Sequence, residues 1–141
     1  MSVEQNKAVI RRFYEEFHGK RDLAVADEII AIDFVLDNPP THGREAFKQG
    51  VIALRSAFPD MQVAYENMIA EGDRVACRWI VRGTHKGEFQ GIAPTGRQVT
   101  MTGMSIFRIA GDKIVESWND FDGLGLMQQL GVIPVPKQTE R

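Results

Sequence analysis

The chain has 141 residues, enough for one domain with a sizeable core. Hydrophobic residues make up 43% and charged residues 26%, a globular mixture that argues against disorder. The formal net charge is -2 and Lys and Arg are spread along the chain, so no basic stripe suggests a nucleic-acid partner.

The opening "MSVEQNKAVIRRFYEEF" has Val3, Ala8, Val9, Ile10, Phe13 and Phe17 on a helical repeat, with charged residues between them. Ser2 followed by Gln5 forms a capping-box pattern, and Gly19 is a plausible stop. This stretch lacks the apolar core of a signal peptide, and no later stretch is long enough to span a bilayer. A second short helix is expected from Asp22, burying Leu23, Ala26, Ile29 and Ile30. "DFVLDNPP" then reads as a short strand ended by Pro39 and Pro40, since proline cannot donate to a sheet ladder. Gly43 precedes a third helix with Phe47, Val51, Leu54 and Phe58 in register and Pro59 beyond its end.

After Pro59 the period changes from helix to strand. One hairpin is expected around Glu71-Gly72-Asp73, with Val75, Cys77, Trp79 and Val81 alternating against Arg78 and Arg82. A second hairpin turns at Ala110-Gly111-Asp112, and "KGEFQGIAPTG" between the two hairpins is a loop. Helices before a mostly antiparallel sheet indicate an α+β domain spanning residues 1–141, with 132–141 as an extended tail. Cys77 has no second cysteine to pair with, which fits a reducing, cytoplasmic setting; a buried, inert role is expected for it.

Several signatures fail. Gly91 to Gly96 has phosphate-loop spacing, but Arg97 and Gln98 stand where Lys and Ser or Thr belong. "DFDG" lacks the later ligands of a calcium loop, and His18, His42 and His85 show no metal-ligand spacing. No G-x-S-x-G element is present. Neither a metal nor a cofactor is expected.

"ESWNDFDGLGLMQQLG", residues 116–131, sets acids beside aromatics. If residues 113–122 form a regular strand, Ile114, Glu116, Trp118, Asp120 and Asp122 share one face, and Val115, Ser117, Asn119 and Phe121 the other. On that reading the acids on the Trp118 face line a cavity between helices and sheet. A carboxylate there would lose hydration, rise in pKa and exchange protons near neutrality. A bulge near Asp120 would break the alternation. From spacing alone, capping of "GLGLMQQL" by Asp122 stands ahead of catalysis. Asp120 reads first as a solvated strand end, and Glu116 as the partner of a basic residue on the next strand.

Residues 83–131, with their G-T-H-x-G-x-F loop, P-T-G, G-D-K-I hairpin and W-x-x-x-D-x-x-G-L-x-x-Q-L-G ending, resemble the SnoaL-like polyketide cyclases, also called predicted ester cyclases. "DNPPTHGREAFKQGVIALRSAFPDMQVAYENMIAEGDRVACRW" is similar to them too, so the resemblance covers nearly the whole chain. It implies the cone-shaped fold of the nuclear-transport-factor-two-like superfamily, N-terminal helices in the concave face of a curved sheet, a deep pocket and no cofactor. It also implies a homodimer or homotetramer formed through the sheet. In that family an aspartate at the end of the last strand is the acid/base of an intramolecular aldol closure, and the matching position is Asp122, with Asp120 a possible helper. The histidine those cyclases carry on the preceding strand has no counterpart in "TMTGMSIFRI", where Met104 and Ile106 stand in that region. Pocket walls are expected from Tyr14, Phe17, Asn38, His42, Trp79, His85, Phe89 and Trp118, although plain core packing stands ahead as the single role of each aromatic.

Three functions remain open at this point. One is cofactor-independent proton transfer, cyclising or isomerising a small carbonyl or polyketide-like substrate. The second is a water-activating hydrolase built from Asp120, Asn119 and Arg78. The third is a non-catalytic ligand-binding or dimerisation module in which Asp122 caps the last helix. No membrane partner is expected in any of them.

Overall fold

The computed structural model describes residues 2–134, so most of the expected tail lies outside the described residues. Helix α1 (Val3–Arg12) opens with the expected capping box: the Gln5 amide donates to Ser2 Oγ, and the Gln5 side chain accepts from the Ser2 amide. From Phe13 to Gly19 the helix widens into a π-helical segment. The regular helical repeat gave no warning of this. The wider winding places Phe13, Tyr14, Phe17 and His18 in one aromatic cluster, with Phe13 5.2 Å from Tyr14 and 4.7 Å from His18 between ring centres. Such π-helical insertions recur at functional sites.

Helix α2 (Val25–Ile29) starts three residues after Asp22, whose Oδ1 accepts from the Ala24 amide in the turn before it. Strand β1 (Ile30–Leu36) begins earlier than its proline-bounded end suggested, because Ile30 pairs with Ile114. Burial of both Ile29 and Ile30 is served by a helix that turns directly into a strand. After the short β2 (Thr41–His42), helix α3 (Arg44–Ala57) follows Gly43 as expected. Strands β3 (Gln62–Glu71), β4 (Arg74–Thr84), β5 (Gln98–Ala110) and β6 (Lys113–Phe121) form the two hairpins, and α4 (Gly123–Leu130) ends in a left-handed Gly131. Gly111 and Asp112 both adopt positive φ, the conformation of a two-residue primed turn that matches strand twist.

The sheet order is β2-β1-β6-β5-β4-β3, antiparallel except where β1 runs parallel to β6. Helices cover one face. There Ile10, Phe13, Tyr14, Phe17, Val25 and Ile29 pack on Val75, Cys77, Trp79, Phe107, Ile109 and Ile114. Cys77 is a free, fully buried thiol, as expected, and burial pushes its pKa up.

One register shift decides the function of β6. Ile109 pairs with Ile114, but Arg108 pairs with Glu116, so Val115 is an extra residue. This bulge inverts the strand's parity. Beyond it, Ser117, Asn119 and Phe121 face the helices, while Glu116, Trp118 and Asp120 face away. The expected grouping of Ile114 with the Trp118 face is therefore corrected. Regular alternation counted from Lys113 fails at Val115.

Candidate functional site

Between the helices and the inner face of the sheet lies a cavity of about 540 Å³. That volume falls within the range of small-molecule sites. The helix wall supplies Phe13, Tyr14, His18, Phe47, Val51 and Leu54; the sheet wall supplies Phe34, Trp79, Met101, Ser105, Phe107, Ser117, Asn119 and Phe121. Asn38, Thr41, Glu88, Phe89 and Gln90 complete the lining. Glu88, the one carboxylate among the lining residues, is exposed.

The polar groups of the sheet wall form a chain. Trp79 Nε1 donates to Ser105 Oγ at 2.8 Å, and Ser105 Oγ donates to Asn119 Oδ1 at 2.6 Å. Ser117 Oγ donates to the same oxygen at 3.1 Å. Both lone pairs of Asn119 Oδ1 are thus used, which sets the amide's orientation. Its Nδ2 makes one long bond, 3.5 Å to the Asn38 carbonyl, and keeps a second N–H. The Asn119 backbone is tied to β1's end, where Asp37 Oδ1 accepts from its amide at 2.9 Å and Asn38 Nδ2 donates to its carbonyl. Gly103 makes room for the indole: a Cβ there would stand 2.3 Å from Trp79 Cζ2.

Tyr14 approaches this chain from the helix side. Burial first, and then neighbouring Cys77, push its phenol pKa up, so the hydroxyl keeps its proton at ordinary pH. His18 lies one helical step along. Burial, and next the nearby Arg55 guanidinium, lower its pKa to about 3, so its imidazole is neutral at physiological pH.

The expected site residues divide. Tyr14, Asn38, Trp79 and Phe89 line the cavity. Phe17 is fully buried behind it, beneath Arg55, which donates to the Phe17 carbonyl at 2.9 Å. His42 is exposed on β2. His85 is fully buried outside the lining: its Nδ1 accepts from the Thr95 amide at 3.1 Å, and its ring packs on Phe58. It pins the glycine-bounded loop rather than facing the cavity. Trp118 lies on the outer face under Arg74, with the guanidinium carbon 5.0 Å from the ring centre. Asp120 is exposed opposite Met104. Asp122 is exposed, and its Oδ1 caps α4 by accepting from the Gly125 amide at 2.8 Å. Asp122 is not among the lining residues, although Phe121 beside it and Leu126, whose amide donates to the Asp122 carbonyl, both are.

Glu116 has the basic partner expected of it, Arg108 on β5, at 3.2 Å. Arg78 pairs with Glu66. With Arg78 and Asp120 turned outward and Asn119 inward, the hydrolase set is split across the sheet. The residues missed as a group are Ser105, Ser117 and His18. A signal for the first two existed: alternation along β5 puts Ser105 on the face of Phe107 and Ile109, and placing Arg108 opposite Glu116 for charge complementarity demands the bulge that turns Ser117 and Asn119 inward.

Among the described residues no group of His, Cys, Asp and Glu is placed to hold a metal ion, and no helix is long and apolar enough to cross a membrane.

Comparison with known proteins agrees with this architecture. Residues 8–130 match the family described as SnoaL-like polyketide cyclase, and the chain belongs to that family. It is similar to DauD, the aklanonic acid methyl ester cyclase of Streptomyces sp. (strain C5), at 29% identity over 133 residues, covering 87% of this chain and 80% of DauD. Among solved structures, IdmH of Streptomyces antibioticus is 34% identical with a TM-score of 0.76, covering 90% of this chain and 99% of IdmH. A SnoaL-like protein of Jannaschia sp. CCS1 gives a TM-score of 0.85 at 26% identity, covering 94% of this chain and 95% of that one. The fold is the cone-shaped α+β architecture of the nuclear-transport-factor-two-like superfamily.

Proposed function

We propose that this chain is a cofactor-independent cyclase that closes a ring in a neutral, carbonyl-containing substrate by an intramolecular aldol step. The observation that carries the reading is the cavity itself: apolar along most of its wall, with one oriented amide donor, Asn119 Nδ2, held by two serine hydroxyls. A flexible polycarbonyl chain would fold against Phe, Leu and Met side chains, which brings its nucleophilic carbon and target carbonyl together.

In the proposed step Asp122 is the acid/base, working from beside Phe121 with the carboxylate oxygen left free by the cap. It takes a proton from a carbon flanked by two carbonyls, breaking a C–H bond. The enolate oxygen is stabilised by the Asn119 amide. The enolate carbon attacks the second carbonyl, a C–C bond forms, and the proton on Asp122 returns to the new alkoxide. Atoms balance as an isomerisation, so no oxidant, reductant or metal enters.

Asp122→Asn tests this cleanly, because asparagine caps a helix as well as aspartate does but cannot accept the proton. On an aryl 1,3-diketone methyl ester, chromatography should show the ring-closed isomer with the wild type and a loss of at least a hundredfold with the variant. Unchanged turnover would remove Asp122 from the mechanism.

A second reading, a non-catalytic ligand-binding module, is favoured by one observation, the exposure and capping bond of Asp122. It predicts binding of the diketone ester by wild type and variant alike, without ring closure by either. Assembly through the outer sheet face, where Ile69, Met104 and Ile106 are exposed, accompanies both readings and is checked by light scattering.

A further inference from the structure

His18 belongs to no part of the aldol step proposed above, yet it lines the same cavity from the helix wall. Its Nδ1 is sealed from water and has no hydrogen-bond partner. Nε2 is not sealed from the cavity in this way, and among the described residues no hydrogen-bond partner reaches it. The ring is held edge-on by Phe13 at 4.7 Å and Phe17 at 5.0 Å between centres, so it is placed without being used. A polar side chain that is fixed by packing, lacks a partner and lines a ligand-sized cavity is poised for a polar group on the ligand.

The tautomer follows from this placement. A proton on Nδ1 would bury an unpartnered N–H donor, so the neutral ring carries its proton on Nε2, where the cavity can supply an acceptor. Burial above all, and then the nearby Arg55, keep the ring uncharged. An uncharged N–H donor in an apolar wall suits a neutral oxygen rather than a carboxylate.

We infer that His18 is a second anchor of the cavity, donating Nε2–H to a carbonyl or ester oxygen at the end of the ligand opposite the group held by Asn119. The inference rests on the reading of this cavity as a site for neutral carbonyl compounds. It adds a requirement: the ligand carries hydrogen-bonding oxygens toward two walls, the π-helical segment and β6, with an apolar body between them.

Binding of a matched probe pair tests the inference without turnover. 2,6-Diacetylnaphthalene carries a carbonyl at each end, and 2-acetyl-6-ethylnaphthalene carries one; both fluoresce, and titration gives Kd. Against wild type the diketone should bind about fivefold to tenfold more tightly than the monoketone, the value of one neutral hydrogen bond. His18→Phe should abolish that preference. His18→Gln, whose amide nitrogen falls near Nε2, should retain most of it, which separates the hydrogen bond from simple filling of space. Asn119→Ala should weaken the diketone and likewise abolish the preference, because either probe can then turn its one bonded carbonyl to His18. An equal preference in wild type and His18→Phe would overturn the anchor while leaving the cavity reading intact. If neither probe binds wild type, both readings fall.

Discussion

The two faces of β6 are built from the same nine residues and do opposite things. On the inner face Ser117 and Asn119 carry no charge, are joined by hydrogen bonds and look into the cavity. On the outer face Glu116 pairs with Arg108, and Trp118 lies beneath Arg74. The acids that first draw the eye thus stand on the solvent side of the strand. The neutral polar groups, easy to overlook, are the ones held in an apolar setting where a hydrogen bond has most effect. Polarity placed in a pocket matters more than charge placed on a surface.

The sharpest way to break this comparison is to exchange the inner amide for an apolar group. Asn119→Leu should lower turnover of the diketone ester by about 10²–10³, the effect of removing one oriented donor. Glu116→Gln, on the outer face, should stay within about twofold.

The helix wall gives the next effect. His18 is neutral in the folded chain down to pH about 3, against an ordinary value of 6.5. Between those values the unfolded chain binds a proton that the folded chain refuses. Its contribution to stability is therefore complete above pH 6.5, falls as pH drops through the window, and levels off below about 3. Denaturant titrations at several pH values should therefore show a weaker pH dependence of stability in His18→Phe.

Ser105→Ala leaves the Trp79 N–H without its acceptor on the inner face. A loss of about 1–3 kcal/mol is expected in chemical denaturation. At the end of the strand, Asp122→Ala should cost about 1 kcal/mol through the lost α4 cap, while Asp122→Asn should be near neutral. The smallest effect belongs to the outer face: the Arg108–Glu116 pair is about a third exposed on each side. A double-mutant cycle should give it less than about 1 kcal/mol, shrinking further in added salt.

Much of the fold was legible in the chain because its signals are local. The Ser2–Gln5 capping box, the Gly111-Asp112 turn and the Gly43 start of α3 each depend on a few neighbouring residues. The alternation of Val75, Cys77 and Trp79 against Arg78 likewise marks the buried face of β4. Of the cavity residues expected alongside the family resemblance, Tyr14, Asn38, Trp79 and Phe89 line it, while Phe17, His42, His85 and Trp118 do not. The capping role of Asp122 was also readable from its place before a helical repeat.

What only the tertiary structure decided was direction. A single extra residue at Val115 inverts every position after it, and alternation counted along one strand cannot reveal a shift defined by pairing with another. The π-helical widening at Phe13–Gly19 turns His18 into the cavity, with Phe13 packed on Phe107 of the sheet and Phe17 on Phe47 of α3. His85 became a loop pin because Thr95, ten residues on, folds back to its ring. In each case the residue type was plain in the sequence, while its role was set by partners brought close by the fold.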